Sequence, residues 1–129
     1  MAKRLLSISS ISWLLLLFAL VLPACGQSRS NPGFRGQRAL DDHYEKHGAE
    51  FGKISKSQYL RMAQEFRDMP KGGDVLEAVR ADRVITRFHK KKGWFIAVNS
   101  DRTIRTFFIP NDGERYFWRQ AKRPAKGRN

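Results

Sequence analysis

The chain has 129 residues, 41% of them hydrophobic, and a formal net charge of +13. A chain of this length can bury one hydrophobic core, so a second domain with its own core is excluded. Cys25 is the only cysteine, which excludes an intramolecular disulfide.

Residues 1–24 have the pattern of a targeting segment. Lys3 and Arg4 form a positive start, and the apolar run ISWLLLLFALVL follows at 11–22. Leu22-Pro23-Ala24-Cys25 resembles the lipobox of bacterial lipoproteins, in which the cysteine becomes the first mature residue and carries the lipid. We therefore expect a lipoprotein-type signal peptide over 1–24 and lipidation of Cys25. A signal peptide cleaved without lipidation, or an uncleaved membrane anchor, would show the same apolar run.

The mature region stays strongly basic. Without Lys3 and Arg4 the formal net charge falls only from +13 to about +11. A positive field of this size favours polyanions such as RNA, DNA or anionic lipid headgroups. Charge alone does not choose among these partners.

Two segments flank the predicted fold. Residues 25–37 are rich in Gly, Ser, Pro and Asn, which predicts a flexible tether. Residues 121–129, AKRPAKGRN, contain four cations and no acid, which predicts a disordered basic tail. The globular domain is therefore expected over 38–120.

The first part of that domain has helical punctuation. One helix is expected over 38–47, with Gly48 as a left-handed C-terminal stop. Ser55 and Gln58 have the spacing of a capping box and predict the start of a second helix, which Pro70 ends. Its buried face is expected to comprise Tyr59, Met62, Ala63, Phe66 and Met69.

From residue 75 onward the pattern changes to short strands. The segments DVLEAVR, RVITRFH, WFIAVN, TIRTFFIP and ERYFWRQ are separated by turn residues and predict an antiparallel meander. Helices followed by strands indicate an α+β fold, with N-terminal helices packed on one side of an antiparallel sheet of about four strands.

Two of the three histidines, His43 and His47, lie four residues apart in DDHYEKHGAEFG. This spacing places both side chains on one face of a helix. Histidine suits proton transfer because its unperturbed pKa is near 6.5. The same spacing is also typical of a solvated polar face. A metal site is disfavoured, because no partner cysteine exists and His89 lies in a Lys-rich turn.

The segments HYEKHGAEFG, SQYLRMAQEF, IRTFFIP and RYFW, in this order, are similar to the barnase, EndoU, colicin E5/D and RelE-like (BECR) nuclease superfamily. Its small toxin domains occur at the C-termini of bacterial polymorphic toxins and in phage-associated proteins. The similarity covers residues 39–118. It implies helices followed by a four-stranded antiparallel sheet, and metal-independent RNA cleavage without a cofactor.

The resemblance also implies catalytic residues. The family's helix histidine matches His47, with His43 as its companion, so the two would supply acid and base for transesterification by the 2′-OH. This reaction leaves a 2′,3′-cyclic phosphate. The strand arginine matches Arg80, which would stabilise developing negative charge. The family's hydroxyl position matches Thr106, a possible donor to a phosphoryl oxygen.

Substrate contacts are expected at three further residues. Lys46 lies about 100° round the helix from His47 and would steer a phosphate. Arg87 and Tyr116 are candidate substrate contacts. Arg105 is expected on the opposite sheet face from Thr106, because side chains alternate along a strand.

Export would bring such a nuclease to a foreign target, as with a toxin delivered to neighbouring cells, or to RNA scavenged outside, rather than to the RNA of the producing cell. The expected partners are RNA, with tRNA as one candidate, an acidic immunity protein, and the membrane through the lipid on Cys25. The protein is expected to be monomeric and anchored to the bacterial envelope, or secreted. The alternative function is a non-enzymatic basic lipoprotein that binds anionic polymers at the envelope.

Overall fold

A computed structural model describes residues 30–124 of the chain. The signal peptide, Cys25 and the end of the basic tail lie outside the described residues. The described part begins with two helices and a 3₁₀ turn: α1 (Gln37–His47), the turn Gly48–Phe51, and α2 (Lys56–Asp68). Four strands and a third helix follow: β1 (Val75–Val79), β2 (Ile85–His89), β3 (Trp94–Val98), β4 (Ile104–Phe108) and α3 (Glu114–Ala121).

The predicted α+β class is confirmed. The four strands form one antiparallel sheet in the order β1-β2-β3-β4, so each strand pairs with its neighbour in sequence. Both N-terminal helices precede the sheet, as expected. Among residues 30–124, none of the helices combines the length and the apolar character required to cross a bilayer.

The capping box at the start of α2 is also confirmed. Ser55 Oγ accepts a hydrogen bond from the backbone N–H of Gln58, and Gln58 Oε1 accepts one from the backbone N–H of Ser55. Tyr59, Ala63 and Phe66 on this helix are fully buried. The Tyr59 hydroxyl is satisfied inside the core, where it donates to the Phe107 carbonyl oxygen.

Gly48 ends α1 for a different reason from the one expected. Its backbone is right-handed, with φ −56° and ψ −40°, and it continues into the 3₁₀ turn. A Cβ at this position would lie 2.5 Å from a ring carbon of Tyr44. Glycine is therefore required by the close approach of an aromatic ring, whereas the left-handed backbone lies at Gly52, with φ 94°.

The prediction that ERYFWRQ is a strand is wrong, because this segment forms α3. Phe117 is fully buried on the face of the sheet opposite α1 and α2. A fifth strand that followed β4 directly would pair with the outer edge of β4, where backbone donors at both ends are already used. The backbone N–H of Ile104 donates to Gly33, and that of Ile109 donates to the Glu50 carboxylate.

Side chains pack on both faces of the sheet, so the core has two parts. The part under α1 and α2 comprises Phe34, Leu40, Tyr59, Ala63, Phe66, Val75, Ile96, Val98, Ile104 and Phe107. The part under α3 comprises Val84, Phe88, Phe95, Ala97 and Phe117. The second face of the sheet is therefore covered at one end by α3 and is not open along its whole length.

The flexible tether predicted for residues 25–37 does not hold for its described portion. Phe34 is only 7% exposed and stacks on Tyr59, with ring centroids 5.9 Å apart. The buried Arg67 side chain donates to Asn31 and to the Pro32 carbonyl oxygen. Burial of one aromatic ring and these hydrogen bonds fix the segment on the domain, which Gly- and Ser-rich composition did not indicate.

Candidate functional site

His43 and His47 lie one turn apart on α1, and their ring centroids are 6.3 Å apart. Their shared helical face follows from the i, i+4 spacing. The face is directed towards the Phe34 segment and the end of β4, because Phe34 contacts His43 and Phe108 contacts His47.

His43 is held by the backbone of its own helix. Its Nδ1 lies 2.7 Å from the Ala39 carbonyl oxygen, and its ring packs against Phe34 with centroids 4.9 Å apart. A carbonyl oxygen only accepts, so Nδ1 carries the proton in this bond. Nε2 is then the nitrogen that remains for a proton-transfer partner.

His47 is oriented by a carboxylate. Its Nδ1 lies 2.8 Å from Glu50 Oε1, and the imidazole stacks on Phe108 with centroids 5.0 Å apart. The second oxygen, Glu50 Oε2, accepts from the Ile109 backbone N–H at 2.7 Å. The His47 side chain is 25% exposed. Glu50 therefore connects the turn after α1 to the end of β4 and directs the proton of His47 to Nδ1.

Glu50, which sequence reasoning missed, is the partner of a candidate catalytic residue. It lies three residues after His47 within HGAEFG, and that spacing was the available signal. The hydrogen bond between Glu50 and His47 depends on the 3₁₀ turn, which brings the carboxylate back to the imidazole. The bond from Ile109, 59 residues away in sequence, has no local signature.

A second group of expected site residues lies apart from the histidines and comprises Arg80, Thr106 and Tyr116. They line a cavity of about 310 Å³ between the sheet and α3, which we call the Arg80 cavity. Its other lining residues are Asp82, Phe95, Arg105, Gln120, Arg123 and Pro124. Neither His43 nor His47 belongs to this lining, so the expected catalytic residues form two groups.

Arg105 lines the same cavity as Thr106, which contradicts the expected alternation. The pairing of β3 with β4 shifts by one residue: Val98 pairs with Ile104 and Ala97 pairs with Thr106. Arg105 is the extra residue of this β-bulge, and a bulge interrupts the alternation of side chains along a strand. Both side chains consequently lie on the α3 side of the sheet.

Two aromatic rings connect the histidines to the Arg80 cavity. Phe108 contacts His47 on one side and Tyr116 on the other, with centroid distances of 5.0 and 5.3 Å. Tyr116 in turn lines the cavity. The two groups are therefore neighbours on one continuous surface, and the rings of Phe108 and Tyr116 lie between them.

Arg87 has a structural role that the sequence did not indicate. One of its guanidinium nitrogens donates to the Met69 carbonyl oxygen at 2.5 Å, and the other pairs with Glu77 at 2.5 Å. Arg87 thereby satisfies the C-terminal end of α2 on the sheet face opposite the Arg80 cavity. Arg87 does not line the Arg80 cavity, and its role as a substrate contact stays a prediction. Lys46 is exposed on α1, adjacent in sequence to His47.

Within residues 30–124, no three His, Cys, Asp or Glu side chains group so that they could hold a metal ion. His89 ends β2, where it packs against Trp94 and accepts a hydrogen bond from the Lys92 backbone N–H. His89 also packs against Phe66 of α2, with ring centroids 6.1 Å apart.

Comparison with known proteins returned no family model that matches the chain and no curated protein that matches it. Membership of the nuclease superfamily therefore remains a prediction that depends on the motifs quoted above.

Proposed function

We propose that the protein is an endoribonuclease-like toxin domain that cleaves RNA by transesterification without a metal ion. The observation that carries the proposal is the hydrogen bond between His47 Nδ1 and Glu50, which leaves Nε2 of a partly exposed imidazole for proton transfer. A carboxylate that orients an imidazole is a recurrent arrangement in acid–base catalysis.

The reaction needs one base and one acid. The base removes the proton of a ribose 2′-OH, and the 2′-oxygen attacks the adjacent phosphorus. The bond from phosphorus to the 5′-oxygen breaks, the acid protonates that oxygen, and a 2′,3′-cyclic phosphate remains. His43 and His47 supply these two roles, because each retains Nε2 and the rings lie 6.3 Å apart.

The arginines of the neighbouring Arg80 cavity, together with Lys46, support RNA as the substrate. Lys46 is exposed beside His47, and the Arg80 cavity adds Arg80 and the hydroxyl of Thr106 on the adjoining surface. The exposed phosphate backbone of RNA is the partner that such a surface attracts. Tyr116 and the exposed Trp118 offer rings on which bases can stack.

Cleavage assays on tRNA, rRNA and single-stranded RNA in the presence of EDTA test this function. We expect cleavage with 2′,3′-cyclic phosphate ends. Binding of these RNAs without any cleavage would instead favour the non-enzymatic alternative, a basic lipoprotein that holds anionic polymers at the envelope.

We also propose that the chain is exported as a lipoprotein and that an acidic immunity protein protects the producing cell. Lipidation at Cys25 is tested by metabolic labelling with a fatty-acid analogue. Label should enter the wild-type chain and not Cys25→Ser, whereas equal labelling would refute lipidation at this residue. Co-purification with the product of an adjacent acidic open reading frame tests the second part.

A further inference from the structure

Arg80, which lines the cavity, carries one buried donor without an acceptor among residues 30–124. The Arg80 side chain is only 10% exposed, and Nη2 donates to Asp82 at 2.7 Å. Its Nε is fully buried, and no described residue accepts a hydrogen bond from it. Leaving a charged donor buried without an acceptor is costly, so such groups in native proteins are usually satisfied by a protein group, an ordered water or an ion.

The cavity also carries an excess of positive charge. Arg80, Arg105 and Arg123 line it, and Asp82 is its only acidic lining residue. Asp82 is already used by the Arg80 guanidinium and by the Val84 backbone N–H, and it lies 4.0 Å from Arg105. One carboxylate does not neutralise three guanidinium groups. An oxyanion in the cavity would supply the missing negative charge and accept hydrogen bonds from the guanidinium groups that line it.

The β-bulge is what brings the second arginine into the cavity. Regular pairing would direct Arg105 and Thr106 to opposite faces, but the extra residue in β4 places both along the same cavity as Arg80. Two guanidinium groups and a hydroxyl then converge on one space. Arginine is well suited to phosphate because its planar fork donates two parallel hydrogen bonds.

The position of the cavity indicates which phosphate it takes. Its lining excludes both histidines, and the rings of Phe108 and Tyr116 lie between it and His47. A phosphate inside the cavity is therefore not the one that His47 can reach at the same time. We propose that the Arg80 cavity binds a second backbone phosphate of the polynucleotide, beside the phosphate that is cut.

The identity of the polymer as RNA rests on the proposed function. The binding of a phosphate rests on the cavity itself. This inference changes the role that the resemblance implies for Arg80 and Thr106. They hold the substrate in register and do not contact the reacting phosphorus.

A binding experiment that excludes cleavage isolates the cavity. A 2′-deoxy oligonucleotide keeps the phosphates and lacks the attacking hydroxyl, so binding to the full-length protein can be followed by fluorescence anisotropy at several salt concentrations. Arg105→Gln removes one cavity cation at a residue that is 48% exposed in its side chain. The matched control is Arg61→Gln, an exposed arginine on α2, on the other side of the sheet.

We expect Arg105→Gln to weaken binding about tenfold at low salt. The slope of log K against log salt should become shallower by about 0.7, the value for one phosphate contact to a single strand. Arg61→Gln should stay within about twofold of the wild type and keep its slope.

The Arg80 Nε–H resonance gives a second readout that does not depend on a variant. Titration with the oligonucleotide, and separately with inorganic phosphate, should shift this resonance in a saturable way. Saturation by the oligonucleotide at far lower concentration than by inorganic phosphate identifies a backbone phosphate as the ligand. Saturation at equal concentrations would identify a site for free phosphate and overturn the proposal.

Equal binding of the oligonucleotide by Arg105→Gln and wild type would also overturn the proposal, as would an unmoved Arg80 Nε–H resonance. The proposal would likewise be overturned if Arg105→Gln lost binding to vesicles of anionic lipid and kept its binding to the oligonucleotide. If the oligonucleotide binds as expected but no RNA is cut, the cavity stands and the proposed function fails. If RNA is cut while Arg105→Gln binds normally, the proposed function stands and the cavity fails.

Discussion

Glu50 accepts a hydrogen bond from His47 with one carboxylate oxygen and from the backbone N–H of Ile109 with the other, at 2.8 and 2.7 Å. The imidazole is thereby fixed against the edge strand of the sheet, and its proton is held on Nδ1. In the proposed reaction Glu50 is a positioning residue, because it would act on the substrate only through His47.

Glu50→Gln should lower kcat by about 10- to 100-fold with little change in KM. The amide has one oxygen where the carboxylate has two, so it cannot serve both His47 and Ile109. Steady-state kinetics on RNA measures the split between kcat and KM. The ¹⁵N shifts of the His47 ring at alkaline pH should also show a larger population with the proton on Nε2.

Glu45→Gln is the matched control, because Glu45 is an exposed carboxylate on α1. It should leave both kcat and the ring shifts as in the wild type. A Glu50→Gln protein with unchanged kcat and unchanged ring tautomer would show that Glu50 only connects the turn to β4.

Gly48→Ala should destabilise the protein by about 1 to 3 kcal/mol. Intrinsic helix propensity predicts the opposite sign, because alanine is favoured over glycine at a right-handed helical position. The added methyl would lie 2.5 Å from the Tyr44 ring, and relief requires movement of that ring. Urea denaturation of the variant measures the change.

Tyr44→Leu combined with Gly48→Ala tests the cause of this effect. In the Tyr44→Leu background, Gly48→Ala should lower the free energy of unfolding much less than it does in the wild-type background. Gly48→Ala that stabilises the wild-type background would contradict the close approach.

Phe117→Ala should destabilise the protein by about 3 to 5 kcal/mol, because it removes a fully buried ring from the core under α3. Trp118→Ala, at an exposed neighbour on the same helix, is the control and should cost less than about 1 kcal/mol. Thermal unfolding distinguishes the two. Equal losses of stability in the two variants would contradict the burial of Phe117 in the core under α3.

Acid should destabilise the fold partly through Asp68. Its carboxylate accepts hydrogen bonds from Arg67 and Arg102, and the bond from Arg67 is the main cause that lowers the pKa of Asp68 in the folded protein. A carboxyl with a lowered folded-state pKa adds stability that is full above its unfolded-state pKa of about 3.9. This stability is lost as the pH falls through the folded-state pKa.

We therefore expect the free energy of unfolding to fall below about pH 4, and Asp68→Asn to make that fall shallower. The variant should also be less stable at neutral pH, since the buried Arg67 loses an acceptor. Asp42→Asn, at an exposed position on α1, is the control. Urea denaturation across this pH range would contradict the role of Asp68 if both variants followed the wild-type curve.

The general architecture could be predicted because its signals are local. The Ser55 and Gln58 pair marks the start of α2, and turn residues separate β1 to β4. The helix α3 was missed because its apolar residues, Tyr116 and Phe117 with Trp118, are adjacent and fit a strand as well as a helix. The choice depends on the occupied outer edge of β4, which involves residues far apart in sequence.

The candidate site could be predicted only as separate residues. Spacing alone indicated that His43 and His47 share a face. The sequence did not indicate that Glu50 serves His47, that a bulge turns Arg105 towards Thr106, or that Arg87 is used at the end of α2. Each of these depends on contacts between distant segments.

Cleavage of tRNA in the presence of EDTA, compared between the wild-type protein and His47→Ala, tests most directly whether the chain is a ribonuclease. We expect the wild type to leave 2′,3′-cyclic phosphate ends. His47→Ala should fold and bind the tRNA as the wild type does but lose cleavage by at least about 100-fold. Equal cleavage by the two proteins, or no cleavage by a wild-type protein that binds the tRNA, would contradict the assignment of His47 as a catalytic residue.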